Sequence, residues 1–123
     1  MKKIETDKAP AAIGPYSQAM VSGGLVFLSG QIPINPEDGE IVVSDIFLQT
    51  EQVMKNIGAV LEAAGTDFTR VVKATCYLAN MDDFDAFNVM YSKYMSSRPA
   101  RSCIAAKHLP KHVLCEVEVI AEV

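Results

Sequence analysis

Between Leu114 and Ala121 the odd positions Cys115, Val117, Val119 and Ala121 are all apolar, while the even positions Leu114, Glu116, Glu118 and Ile120 mix aliphatic side chains with carboxylates. Side chains of a β-strand alternate between two faces, so the odd set must face helices that cover one side of a sheet. The even set is neither a solvated face, which would be polar throughout, nor a second core. Such a mixture suits a subunit interface with a polar pocket set into it. This one segment therefore constrains the chain to a sheet covered by helices on one side and by a partner on the other.

The remaining elements are consistent with that frame. From Asp45 to Ala64 the apolar positions Ile46, Val53, Ile57, Val60 and Ala64 recur at helical spacing, with Ser44 or Asp45 as N-cap and Gly65 as the stop. A second helix is expected from about Asp83 to Met95, capped by Asn80 or Asp82, with Phe84, Phe87, Tyr91 and Tyr94 on its inner stripe. Strands are expected at Ala19–Val21 and Leu25–Leu28, joined through Gly23-Gly24, whose glycines supply the positive φ of a tight hairpin turn. Others are expected at Val71–Leu78, rich in β-branched residues, near Arg101–Ala106 and over Val113–Ala121. The order ββαβαββ describes an α+β sandwich, a mixed sheet with two helices on one face.

At 123 residues, without repeats, linkers or low-complexity stretches, the chain is expected to form a single domain spanning residues 1–123. A net charge of −4 opposes general affinity for nucleic acid, which needs clustered Lys and Arg. Cys76, Cys103 and Cys115 are odd in number and lack CxxC spacing, which disfavours a disulfide framework and a zinc site and fits a reducing cytoplasm. No apolar stretch approaches bilayer-spanning length, so membrane insertion is not expected.

Pro99-Ala100-Arg101-Ser102-Cys103 carries the chemistry that local sequence suggests. At a strand entrance Arg101 and Cys103 share a face, and a guanidinium can hold a carboxylate by two parallel hydrogen bonds. Alone, this arginine reads more simply as a surface residue that pairs with any nearby acid. Four further segments stand beside it: Ala11-Ala12-Ile13-Gly14-Pro15-Tyr16-Ser17-Gln18-Ala19 with Ser29-Gly30-Gln31-Ile32-Pro33, Phe84-Asp85-Ala86-Phe87-Asn88 with Tyr91 and Tyr94, Leu109-Pro110-Lys111, and Glu116 to Ala121. In this order and spacing the set closely resembles the RidA (YjgF-like) family of enamine and imine deaminases, from about Ala9 to Ala121.

The resemblance implies a chorismate-mutase-like fold, a homotrimer with sites at subunit interfaces, and hydrolysis of 2-aminoacrylate-type enamines and imines to 2-oxo acids and ammonia, without metal or cofactor. It makes Arg101 the carboxylate anchor and places Tyr16, Ser29, Gly30, Asn88, Cys103 and Glu116 around the same cleft. Each has an alternative. Tyr16 could cover the Gly14-Pro15 turn, Ser29-Gly30 could be only a strand end, and Asn88 could make a structural hydrogen bond. Neither His108 nor His112 is spaced as a base for Cys103, which reads as a lining group. Partial desolvation among aliphatics would raise the pKa of Glu116 and suit it to hold or deprotonate water.

Two departures flank the anchor: Ile104-Ala105-Ala106 replaces the Val-Glu-Val common in the family, and Met95-Ser96-Ser97-Arg98 before Pro99 is slightly short. Both bear on pocket shape and substrate preference. The main rival is a trimer that binds a small carboxylate such as a 2-oxo acid without turnover, to which Glu116 would add only repulsion. A ribonuclease or translation-inhibitor role is disfavoured by the acidic pI of about 5.1 and the lack of a basic stripe.

Overall fold

A computed structural model describes residues 1–123. Six strands form one sheet: β1 (Lys2–Ile4), β2 (Ala19–Ser22), β3 (Leu25–Leu28), β4 (Val71–Leu78), β5 (Ala100–Ala105) and β6 (Cys115–Glu122). Their spatial order is β1-β2-β3-β6-β4-β5. Every neighbouring pair is antiparallel except β4 and β5, which run parallel, so the sheet is mixed. The helices α1 (Ile46–Ala63) and α2 (Phe84–Tyr91) pack on each other and on one face.

Local chemistry accounts for the element ends. Asp45 caps α1 by accepting from the backbone N–H of Leu48 (2.9 Å). At the other end Gly65 adopts φ 81°, and the N–H groups of Gly65 and Thr66 donate to the carbonyls of Glu62 and Leu61, a Schellman closure. Gly23 (φ 61°) and Gly24 (φ 79°) turn β2 into β3. The buried core joins Val53, Met54, Ile57, Val60 and Leu61 of α1 and Phe87 of α2 to Ala74, Cys76 and Leu78 of β4 and the odd residues of β6.

The structure corrects three expectations. The sheet has an additional edge strand, β1, paired antiparallel with β2, so the order is βββαβαββ. The second helix is shorter than Asp83–Met95. Asn80 caps a separate 3₁₀ turn, Met81–Asp83, by accepting from Asp82 N–H, and Asp82 is not the cap. After Tyr91 the winding tightens: Lys93 and Tyr94 N–H donate to Met90 and Tyr91 carbonyls three residues back, while Ser92 Oγ–H donates to the Val89 carbonyl (3.0 Å).

The face opposite the helices carries Phe27 and Ile104, 42% and 53% exposed, together with Tyr77, Glu116, Glu118 and Ile120. No element of the chain covers it. No helix is long and apolar enough to cross a membrane.

Candidate functional site

Arg101, the second residue of β5, lies opposite Ala74 of β4, and Cys103 lies opposite Cys76. Ala74 and Cys76 belong to the core, so Arg101 and Cys103 share the helix-covered face, as their spacing predicts. Phe84, Asn88 and Tyr91 stand at i, i+4 and i+7 on α2, one stripe aimed at Arg101. Arg101 Nη1 donates to Asn88 Oδ1 (2.7 Å), and the guanidinium carbon lies 4.8 Å from the Tyr91 ring centre and 5.5 Å from that of Phe84. Two aromatic faces and one amide thus hold the cation in place. No carboxylate of the chain pairs with it: the ion pairs are Lys3–Glu5 and Lys55–Glu51. Arg101 is a pre-oriented anion donor with most of its N–H groups unspent.

Beside it lies a cleft of about 380 Å³ lined by Asn88, Tyr91, Ser92, Met95, Arg98, Pro99 and Arg101. The Tyr91 hydroxyl is buried there without a hydrogen-bond partner, and burial pushes its pKa up to about 12. Cys103 packs against the core, and burial raises its pKa, an effect that Arg101 only partly opposes, which disfavours a nucleophilic thiolate. Cys76 and Cys115, deeper in the core, are pushed up to about 12.

A second group forms where β3 runs out. Gln31 bridges to Val117 through N–H···O bonds of 2.8 and 3.2 Å, laying Gly30 against Glu116. A Cβ on Gly30 would overlap Glu116 Oε2 and lie 2.9 Å from its Cδ, so glycine is what allows this approach. Ser29 Oγ–H donates to the Ser17 carbonyl (2.6 Å) and Ser29 N–H to that of Gln18 (3.0 Å), fixing the loop that presents Tyr16. Tyr16 is 53% exposed, and one edge of its ring lies 3.7 Å from where a Cβ on Gly14 would stand, so it covers the turn while leaving its other face open. It lines a cleft of about 280 Å³ with Gly30, Gln31, Pro110 and Lys111. A further concavity of about 440 Å³, lined by Lys3, Glu5, Thr6 and Ala11 among others, shares only Tyr16 with the candidate residues.

Burial is the main cause raising the Glu116 pKa, with Glu118 adding repulsion. Glu118 itself accepts from Tyr77 Oη–H (2.7 Å). Glu116 lies opposite Tyr77 on the uncovered face, so Arg101 and Glu116 stand on opposite sides of one sheet. A single chain thus assembles Asn88, Arg101 and Cys103 in one place and Tyr16, Ser29, Gly30 and Glu116 in another.

Local sequence assigns Phe84 and Tyr91 to the inner stripe of the helix and gives Arg98 no role. The signal for the aromatic clamp was the spacing of Phe84, Asn88 and Tyr91, which sets a polar residue inside an aromatic stripe. No group of three or more His, Cys, Asp and Glu side chains is placed to hold a metal ion.

The sequence profile of the family described as endoribonuclease L-PSP matches residues 6–123. A Lactococcus lactis protein whose name, AldR, marks it as a proposed regulator is 56% identical over 100% of this chain and 98% of its own length. The 2-iminobutanoate/2-iminopropanoate deaminase of Capra hircus is 47% identical over 96% of this chain and 87% of its own. Among solved structures, a Thermotoga maritima protein superposes with a TM-score of 0.97 at 50% identity, covering 100% of this chain and 98% of that one. Escherichia coli TdcF with bound serine gives 0.94 at 38% identity, covering 100% and 99%.

Proposed function

The chain belongs to the RidA (endoribonuclease L-PSP) family, and from that premise we propose that it hydrolyses short reactive 2-imino and 2-enamino acids to 2-oxo acids and ammonia. The observation that carries this reading is the Arg101 guanidinium, unpaired with any carboxylate yet held by Asn88 between two rings. A short 2-imino acid supplies the missing carboxylate. The goat deaminase and the serine held by TdcF are consistent with a ligand of that size and charge.

In this reading the chain is a single domain that forms a cytoplasmic homotrimer of chorismate-mutase-like architecture. The uncovered sheet face packs against neighbours, and the Arg101 group of one copy meets the Tyr16–Glu116 group of the next. Arg101 binds the substrate carboxylate, Asn88 steadies Arg101, and Cys103 lines the floor. Tyr16, Ser29 and Gly30 close the far side. Glu116 takes a proton from water as its oxygen attacks C2 of the protonated imine. Glu116 returns that proton to the nitrogen of the resulting carbinolamine, the hydroxyl gives its own proton to the Glu116 carboxylate as the C–N bond breaks, and ammonia and the 2-oxo acid are released. Protonated imines already react with water, so positioning plus acid-base help worth roughly 10² to 10⁴ in rate suffices. This chain's residues carry that scheme with no metal or cofactor.

The test is a coupled assay in which a serine or threonine dehydratase releases the imine and 2-oxo acid formation is followed with and without this protein. Faster release supports the proposal, and an unchanged rate rejects it. A second reading, a 2-oxo acid receptor without turnover, is favoured by the likeness to AldR. It predicts calorimetric binding of 2-oxobutyrate together with no acceleration.

Two further outcomes follow from the same arrangement. Light scattering at micromolar concentration is expected to give three times the 13.4 kDa chain mass, and a monodisperse monomer would remove the shared cleft. Gly30→Ala is expected to fold, because Gly30 does not need positive φ, but to push the Glu116 carboxylate aside. Imine hydrolysis should then fall by about 10²-fold, as for other misplaced groups, with the melting temperature nearly kept. Full activity in Gly30→Ala would separate Glu116 from the chemistry.

A further inference from the structure

The Arg101 cleft contains a second guanidinium. Arg98 lines the same cavity of about 380 Å³, and none of the lining residues is an acid. Arg98, like Arg101, pairs with no carboxylate of the chain. Its backbone is held at φ 49°, in the left-handed region that non-glycine residues seldom occupy, by a turn in which Arg98 N–H donates to the Met95 carbonyl (3.1 Å). Pro99 then fixes the entry into β5. Two cations without carboxylate partners, in a cleft lined by no acid, make a place for two anionic groups.

We infer that this site prefers 2-imino acids that carry a second carboxylate, with Arg101 on the C1 carboxylate and Arg98 on the distal one. The inference rests on the anchoring role proposed for Arg101. It names dicarboxylates as the substrate class and makes Arg98 a specificity-determining residue. Arg98 is exposed, so its attraction is screened by salt, whereas the clamped Arg101 is screened less.

The probes are 2-oxoglutarate and 2-oxobutyrate, stable products of the two classes, titrated calorimetrically at low and high salt into the wild type and two variants. Arg98→Asn removes the cation and retains a residue that tolerates positive φ; Arg101→Lys tests the anchor. In the wild type 2-oxoglutarate is expected to bind about tenfold more tightly at low salt, the scale of one charge-assisted hydrogen bond. That ratio should collapse towards one in Arg98→Asn and shrink with salt. Both acids should weaken together in Arg101→Lys. The coupled assay with 2-iminoglutarate and 2-iminopropanoate should show the same change in the ratio of kcat/KM. Equal wild-type affinity for the two acids, or a preference that survives in Arg98→Asn, would overturn the assignment of Arg98 alone. Binding of both acids undiminished in Arg101→Lys, or binding of neither by the wild type, would overturn the anchor and this inference with it.

Discussion

Arg101→Lys is expected to lower kcat/KM for 2-iminopropanoate by about 10²-fold, although the charge is kept and the fold should be retained. Lysine carries a point charge on a flexible stem. It cannot donate to Asn88 Oδ1 while presenting two parallel N–H groups to a carboxylate, and it lacks the flat surface that lies against Tyr91 and Phe84. Losing one charge-assisted hydrogen bond costs about 1.5–3 kcal/mol, roughly one to two decades of rate. The loss should appear largely in KM, because the carboxylate is held alike in ground state and transition state. Wild-type kinetics in Arg101→Lys, with an unchanged melting temperature, would mean that the carboxylate is held elsewhere.

Glu116→Gln is expected to cut the turnover of bound substrate by 10² or more while leaving 2-oxo acid affinity intact, which separates the hydrolase from the receptor. Size and hydrogen bonding are retained, whereas basicity is removed. The same substitution also predicts a stability effect of definite sign. Burial raises the Glu116 pKa, so the folded protein holds this proton more tightly than the unfolded chain. The resulting stabilisation is complete below the ordinary glutamate pKa and is lost as pH rises through the raised folded value. At neutral pH the ionised, partly desolvated carboxylate costs stability. Glu116→Gln should therefore melt higher than wild type at pH 7, and the gap should close as the pH is lowered past the ordinary glutamate range. A variant that melts lower at pH 7 with unchanged turnover would contradict both roles.

Much of the fold can be read from local patterns because those patterns coincide with burial. The odd residues of β6 are core and its even residues lie on the uncovered face, as alternation requires. Asp45 and Gly65 mark the ends of α1 through one side-chain acceptor and one positive φ. β1 was not legible, since three residues with two lysines carry no periodicity and gain strand geometry only by pairing with β2. The end of α2 was not legible either: Ser92, Lys93 and Tyr94 keep helix-like hydrogen bonds with tighter winding, and no proline or glycine stops them. Within the site, the common direction of Arg101 and Cys103 followed from their spacing. The placement of Arg101 and Glu116 on opposite faces did not, because it depends on the β4–β5 and β4–β6 registers, which are set by pairings distant in sequence.

That separation makes the shared cleft between copies the central claim, and subunit complementation tests it most directly. Arg101→Lys and Glu116→Gln proteins, each impaired alone, are mixed, reversibly dissociated and reassembled, and imine hydrolysis is measured. Wherever a Glu116→Gln copy supplies Arg101 and its Arg101→Lys neighbour supplies Glu116, an intact site forms, so activity should return well above that of either variant. Mixed oligomers that form but remain as inactive as their parents would contradict a site built from two chains.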